Sequence, residues 1–561
     1  MSNNDNSRSG VNSIPNSAIT IYWHFVALIV VTVAFITAFQ WVADHPFAGH
    51  MDEAVYLNQV QSDIMALDER GVKGLARSIL YKDRAKPPAY RLSVLPLTSL
   101  WDGFSLTTLR IISLVFILLS LVFVYLTAAS LAGTVNGAFS VIFLILCPLI
   151  LSVNKYYGTE LPLIFAIAAM FYFLFSTWDQ RDNHWLKWVG LGVALGIGAW
   201  SKLTFIFVAG PVILVAFILS FRKVIIGPSP LFLLKASALG AMLAAPWWIL
   251  NLKSMLDYAL YAGSGFTRHA LSPSLWEKLT GMPVLYAYQA LGPTLTLLVT
   301  GLSIILFFRY FLAVNIKLSN KNRSVLWVCL AAILPIIMLQ IIGNNQSVRF
   351  IIVALIPFSL AVGLLISNNQ WLRKPTSTIV LTVMFGFQLF QIAMSPKVDP
   401  EEAQRIAEER GFFGAGPSGI FVYADHAQWD WEPLRKVGLS HNMLLPSIAH
   451  LGNGTSFSSH HMKVPWIMRR QKITAKWLWR YEHGEIDWAK IDDSLSNIDI
   501  VLTAPGYKGN PLDKQELDNQ HNTEFVERLL LDKRFMAPII LTMGIKKPIE
   551  ILVFVRKQTD E

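Results

Sequence analysis

Runs of about 18 to 20 apolar residues recur along the first 395 positions, each long enough to cross a bilayer core as a helix. They fall near 20–41, 106–130, 136–153, 159–177, 187–201, 204–221, 231–250, 288–308, 325–343, 349–367 and 376–395, about eleven spans, with the 187–221 stretch open to a different division. Inside hydrocarbon every backbone N–H and C=O needs a partner from its own segment, so these runs are committed to helix. The chain is 53% hydrophobic and only 15% charged, too few charges to clothe a soluble protein of 561 residues. After Pro396 the long apolar runs stop and charged residues become frequent. The expected fold class is therefore a mainly α polytopic membrane protein carrying a C-terminal soluble α/β domain.

Charge placement sets the expected orientation. The net charge of +10 invites a nucleic-acid reading, yet the bases sit in short loops between spans: Arg181 and Lys187, Arg222 and Lys223, Arg309, Lys317, Lys321 and Arg323, then Arg373 and Lys374. Such loops alternate with base-poor ones and stay on the cytoplasmic side, so the excess is a topology signal and no nucleic-acid partner is expected. Residues 1–19 then form a cytoplasmic tail, 20–396 the transmembrane domain with a first outer loop 42–105 and a second large outer loop 251–287, and 397–561 an extracytoplasmic domain. The localisation expected is the cytoplasmic (inner) membrane. The first apolar run is too long for a typical signal core and no small-x-small cleavage site follows it, so it reads as a retained span. Cys147 and Cys329 both lie inside apolar runs and read as packing residues.

The first outer loop is more than a linker. Leu57, Val60, Ile64 and Leu67 recur at helical spacing, as do Val72, Leu75 and Ile79, which predicts two amphipathic helices lying in the membrane interface or packed on the spans. The second loop holds Tyr258, Tyr261, a Gly-Ser-Gly break at 263–265, Arg268 and Trp276, suited to a sugar or phosphate or to an interfacial aromatic belt. In the tail, strands are expected at 419–424, 497–503, 538–543 and 550–555, with helices around 466–482 and 522–534, giving a small α/β sandwich. His441, His450, His460 and His461 match no familiar metal spacing, and Asn453 opens an Asn-Gly-Thr glycosylation signal that matters only in a cell with that machinery.

The residues suited to chemistry gather where the spans meet the outer side. Asp52 and Glu53 follow the first span. An acidic pair at a membrane boundary is costly, so it either caps the next helix or works chemically, with Asp52 as a general base on an acceptor hydroxyl and Glu53 orienting it, holding a metal or touching a sugar. Lys86 precedes Pro87 and Pro88, whose rings stiffen the backbone around a fixed positive charge. Lys202 ends one span and Arg349 begins another. Each alone is an ordinary snorkelling anchor, but three cations from separate segments on one side suit the phosphate of an anionic lipid. Glu160 opens the fourth span beside Tyr156 and Tyr157, which suit sugar stacking or the interfacial belt. It suits a divalent-cation site with Asp52 or Glu53, a contact to sugar hydroxyls, or a plain helix-start charge, and a divalent cation is the one cofactor the acids suggest.

Together these segments resemble the polyprenyl-phosphate-dependent branch of the C-type glycosyltransferases, which includes the protein O-mannosyltransferases and the lipid A aminoarabinose transferase. The likeness lies in HMDEAVY, AKPPAY, TELP, GLGVALGIGAWSKLTF and VRFIIVALIPF, in that order over about residues 20–395, and does not reach the tail. It implies transfer of a sugar from a polyprenyl-phosphate donor to a glycan, lipid or protein acceptor on the outer face of the membrane, with inversion at the anomeric centre. Asp52 would activate the acceptor while Lys86, Lys202 and Arg349 hold the donor phosphate. Ala85 stands where the aminoarabinose enzymes carry an acid, so their donor specificity is not transferred. Two other readings remain: a secondary transporter, which calls for midplane charges and repeated halves, and a ligase or polymerase using diphosphate-linked oligosaccharides, which calls for more cations. A membrane scaffold leaves the outer acids unexplained.

Overall fold

The computed structural model describes residues 16–48, 51–98, 105–178, 185–221, 228–263, 290–311, 319–342, 348–368, 374–394, 429–452, 457–479, 486–505, 515–544 and 548–558, together with Trp276 and Leu279. The apolar runs picked out in the sequence are helical where they are described, from Asn16–Asp44 at the start to Pro375–Met394 at the end of the membrane domain. Among the described residues seven helices are long and apolar enough to cross a membrane, and Thr134–Ile145, Glu160–Phe175 and Pro293–Ile305 are shorter apolar helices. The protein is a multi-pass membrane protein.

Two expected boundaries differ. The run 136–153 is two helices, Thr134–Ile145 and Pro148–Val153, because Cys147 before the proline is extended and Pro148 begins a new first turn. The loop expected to start at 251 starts later: helix Pro230–Gly263 has 34 residues. At 1.5 Å per residue it is about 51 Å long, well beyond a hydrocarbon core of about 30 Å, so its last turns stand clear of the bilayer. Tyr258 lies on those turns, while Arg268 and the rest of the Gly-Ser-Gly break lie outside the described residues.

Helix Pro230–Gly263 packs tightly against Trp185–Ser201. A Cβ on Gly192 would come within 2.9 Å of the Ala236 carbonyl oxygen, so only glycine allows this approach. Two indoles tie the pair: Trp200 Nε1 donates to Ala244 O at 3.2 Å and Trp248 Nε1 to Ala199 O at 3.0 Å. The contact fixes the end of the span from which Lys202 projects.

The two amphipathic segments of the first loop are one helix, Met51–Tyr81, kinked at Gly71, whose φ of 61° and ψ of −157° suit glycine. Its stripe is covered by protein: Leu57 and Val60 are buried in the membrane-domain core, whereas Val72 beyond the kink is exposed. The other covering element is helix Ser459–Ile467 of the C-terminal domain, where Asn58 Nδ2 donates to His460 O at 2.9 Å. Arg470–Asp68 at 2.7 Å and Lys472–Glu69 at 2.5 Å join the same surfaces. Being exposed, these ion pairs set orientation more than stability.

The C-terminal domain is built on a five-stranded sheet of order β2-β1-β3-β5-β4, with β1 Ser447–His450, β2 Thr474–Trp477, β3 Ile500–Thr503, β4 Ile539–Met543 and β5 Ile549–Val555. β1 runs parallel to β2 and β3, and β5 antiparallel to β3 and β4. Alternate residues face opposite layers: Ile500 and Leu502 join a core with Trp429, Trp431 and Trp466, and Val501 joins another with Phe525 and Leu529. The strands expected near 500, 540 and 552 are present; the one expected at 419–424 lies outside the described residues. The helix expected over 466–482 stops at Ile467, where Arg470 turns into the left-handed region (φ 59°), and residues 474–477 become the edge strand β2.

Burial holds the His450 imidazole down to about 4, against the pull of the Gly452 carbonyl on Nδ1. A folded-state value below that of the unfolded chain means stability is complete above the unfolded value and is lost as pH falls toward 4. Acidification from pH 7 to pH 4 therefore withdraws roughly 3 kcal/mol through this residue. Hydrogen exchange of the intact protein is expected to show protection over residues 447–450 and 500–503 falling across this window, and falling less in His450→Gln.

Candidate active site

The charged residues marked out in the sequence converge on one end of the helix bundle. Asp52 lies in the first turn of helix Met51–Tyr81 and receives two cations from distant segments: Arg349 Nη1 at 2.9 Å from Oδ2 and Lys86 Nζ at 3.6 Å from Oδ1. Its side chain is 17% exposed, enough to be reached from outside while its partners remain close. Arg349 comes from the short turn Val348–Ile351 before helix Ile352–Asn368, and its buried Nε has no hydrogen-bond partner among the described residues. Lys86 extends from the loop after Tyr81 over the Tyr56 ring, 4.7 Å from its centroid. Burial opposes the Lys86 ammonium, but Tyr56 and Asp52 beside it hold its pKa above the ordinary lysine range.

Glu160 and Lys202 form the second half. Lys202 Nζ donates to Glu160 Oε1 at 2.7 Å, with Glu160 almost wholly buried at the start of its helix. Phe350 joins the halves, its ring 4.8 Å from Lys202 Nζ and 5.7 Å from the Arg349 guanidinium. Asp52, Lys86, Glu160, Lys202 and Arg349 thus come together: three cations and two carboxylates, a net positive cluster.

Glu53 does not join them. Both its oxygens face Arg110, at 2.8 Å from Nε and 2.6 Å from Nη2, and Oε1 also accepts from the Tyr157 backbone N–H at 3.2 Å. Arg110 continues to the His45 and Phe47 carbonyl oxygens at the end of the first span. Both side chains are completely buried, so Glu53, expected to orient Asp52, hold a metal or touch a sugar, instead joins Arg110 in stitching three segments together. The two Asp-Glu neighbours diverge because successive residues on a helix point about 100° apart. Tyr157 is likewise internal, its hydroxyl donating to Tyr90 O at 2.7 Å. Tyr156 is fully buried, its ring 6.4 Å from that of Tyr56. Neither tyrosine lies open for a sugar to stack upon.

A divalent cation does not fit this arrangement. Asp52 faces Lys86 and Arg349, the buried Glu160 faces Lys202, and among the described residues no three His, Cys, Asp or Glu side chains gather. His441, His450, His460 and His461 stay apart in their roles: His441 Nδ1 lies 2.9 Å from Val437 O, His450 is buried at the sheet, the His460 carbonyl meets Asn58, and His461 Nδ1 sits 2.9 Å from Ser458 Oγ.

Sequence reading missed Arg110, Tyr56 and Phe350. Arg110 carried a signal, being a charge inside the apolar run LTTLRIISL, where an ion needs a partner. Tyr56 and Phe350 carried none, because one aromatic beside a membrane boundary is unremarkable.

The fold is that of the C-type membrane glycosyltransferases. It aligns with ArnT from Cupriavidus metallidurans in the apo state at a TM-score of 0.55 and 12% identity, over 94% of this chain and 97% of that one. With ArnT bound to undecaprenyl phosphate the TM-score is 0.53 at 13% identity over the same shares. The Archaeoglobus fulgidus oligosaccharyltransferase tethered with an acceptor peptide aligns at 0.51 and 11% identity, over 97% of this chain and 75% of that one. Residues 85–250 match the family model described as dolichyl-phosphate-mannose-protein mannosyltransferase. No curated protein sequence matches the chain. The chain thus has the C-type glycosyltransferase fold, and over residues 85–250 its sequence resembles the mannosyltransferase family.

Proposed function

We infer that the protein transfers a sugar from a polyprenyl-phosphate donor to an acceptor hydroxyl at the outer face of the cytoplasmic membrane. The observation that carries this reading is Arg349 and Lys86 flanking Asp52, with Lys202 one phenylalanine away. Three cations at the rim of a lipid-accessible bundle suit a phosphate monoester or diester, and the buried Nε–H of Arg349 offers that anion a further donor. Polyprenyl phosphate is already a weak base on departure, so charge neutralisation does what a general acid would otherwise do. Asp52 is placed to take the acceptor proton as the anomeric carbon is attacked from the face opposite the phosphate, which inverts that centre. Glu160 holds the Lys202 ammonium in place through Oε1, while its Oε2 accepts from the Thr159 hydroxyl. ArnT binds undecaprenyl phosphate, which supports a donor of this class. The alternating basic loops support the outer-face orientation.

Detergent micelles separate this reading from transport, because a transporter has nothing to do without a sealed compartment. Detergent-solubilised membranes of a strain lacking the protein, which supply the envelope's lipid, glycan and protein acceptors along with the donor lipids, are incubated with the purified protein in micelles, and polyprenyl-phosphate sugars are followed by mass spectrometry. One species is expected to fall while free polyprenyl phosphate rises in equal amount. Unchanged lipids in micelles, with movement across sealed vesicles, would hand the function to transport; consumption of a diphosphate-linked species instead would name a ligase.

A further inference from the structure

The face of helix Met51–Tyr81 that carries Asp52 continues past the charged cluster. Asp52, Tyr56, Gln59 and Asp63 fall at helical spacing along one stripe, and each meets the segment 83–91. Asp52 and Tyr56 meet Lys86, Gln59 meets Asp83 and Tyr90, and the Asp63 carboxylate is gripped by Arg91. The loop that presents Lys86 has few anchors of its own, because Pro87 and Pro88 carry no N–H. The last two N–H groups before them, Ala85 N and Lys86 N, both donate to Asp83 Oδ1, at 3.1 and 3.2 Å. Asp83 Oδ2 accepts from Gln59 Nε2 at 2.5 Å, and Gln59 Oε1 accepts from the Tyr90 hydroxyl. The Tyr90 ring lies 4.7 Å from that of Tyr56, whose hydroxyl is 3.5 Å from Lys86 Nζ. The contacts close into a circuit from the Lys86 backbone through Asp83, Gln59, Tyr90 and Tyr56 to the Lys86 ammonium.

We propose that Gln59 is a positioning residue for the donor phosphate, joining the Lys86 loop through Asp83 to the helix that carries Asp52. The proposal rests on the reading of Lys86 as a phosphate ligand. While Asp83 stands opposite, only a side chain with both a donor and an acceptor serves at position 59, since Asp83 needs a hydrogen and Tyr90 gives one. Lys86 then stands at a set distance from Asp52 instead of sampling the rotamers of a free lysine, and the loop binds an anion without first being ordered.

The polarity of the bridge makes the test specific. Gln59→Glu sets two carboxylates against each other, and Asp83→Asn sets two amide donors against each other. Gln59→Glu with Asp83→Asn restores the bridge with the bond between positions 59 and 83 reversed. The new amide on the loop keeps its oxygen for Ala85 N and Lys86 N and donates to the new carboxylate on the helix, which still accepts from Tyr90. Binding of undecaprenyl phosphate in detergent micelles is measured for wild type, both single variants, the double variant and Lys86→Met, with the unfolding midpoint recorded for each. Each single variant is expected to bind about tenfold more weakly, and the double variant to return to within about threefold of wild type. Gln59→Met, which removes both bonds without adding charge, gives the same weakening and stands in if the acidic variant does not fold. Single variants that bind like wild type while Lys86→Met binds weakly would overturn the positioning role alone, as would a double variant no better than its parents. Undiminished binding by Lys86→Met would remove the phosphate reading and the proposal with it.

Discussion

Asp52→Asn is expected to abolish sugar transfer while leaving a folded, donor-binding protein. The amide keeps the shape of the carboxylate and an oxygen for Arg349, but it cannot take a proton at neutral pH. Loss of a general base removes roughly 10²–10⁴ of rate. Losing the negative charge shared by Lys86 and Arg349 also lets an anion meet them with less competition. Undecaprenyl phosphate is therefore expected to bind Asp52→Asn at least as tightly as wild type, and the cell to accumulate the lipid-linked sugar that wild type consumes. The comparison is made by mass spectrometry of membrane lipids in a deletion strain carrying either protein at equal expression. Matching lipid pools in the two strains, with a different pool in the bare deletion, would make Asp52 structural and sink the mechanism.

The second large effect lies one residue away and is of a different kind. Glu53 and Arg110 are both fully buried, and removing one partner of such a pair strands the other charge, at a cost of roughly 3–5 kcal/mol. Arg110→Met is expected to lower the unfolding midpoint in detergent sharply, because it also releases the His45 and Phe47 carbonyl oxygens. Glu53→Gln with Arg110→Met should recover part of that loss, since no ion is then left unpaired. Transfer by whatever fraction remains folded should stay near the wild-type rate. A Glu53→Gln protein of undiminished stability that had lost transfer would return Glu53 to the chemistry.

These two neighbours show where sequence reading reached and where it ended. That an acid at the end of the first span is costly follows from the residue and the solvent together. Which of two adjacent acids faces the site does not, because it depends on which helix face meets which partner. Lys86, Lys202, Arg349 and Glu160 were legible because the alternation of basic and base-poor loops put them on one side, and their pairing then followed from helix packing. For Tyr156 and Tyr157 the sequence left sugar stacking and an interfacial belt open, and the structure buries both, an arrangement that aromatic composition does not distinguish from either.

The sequence by itself determined that this chain is a bundle of membrane helices with charge gathered at one end and a separate α/β domain after it. Hydrophobic length and loop charge are local quantities, and the bilayer reads them segment by segment. Only the tertiary structure decided that Asp52 is held between Lys86 and Arg349, that Glu53 belongs to Arg110, and that Gln59 and Asp83 tie the Lys86 loop to the Asp52 helix. Those pairings join segments up to 297 residues apart, and no local preference encodes a partner at that distance. They are settled by which faces of the helices come together, a property of the packed bundle as a whole.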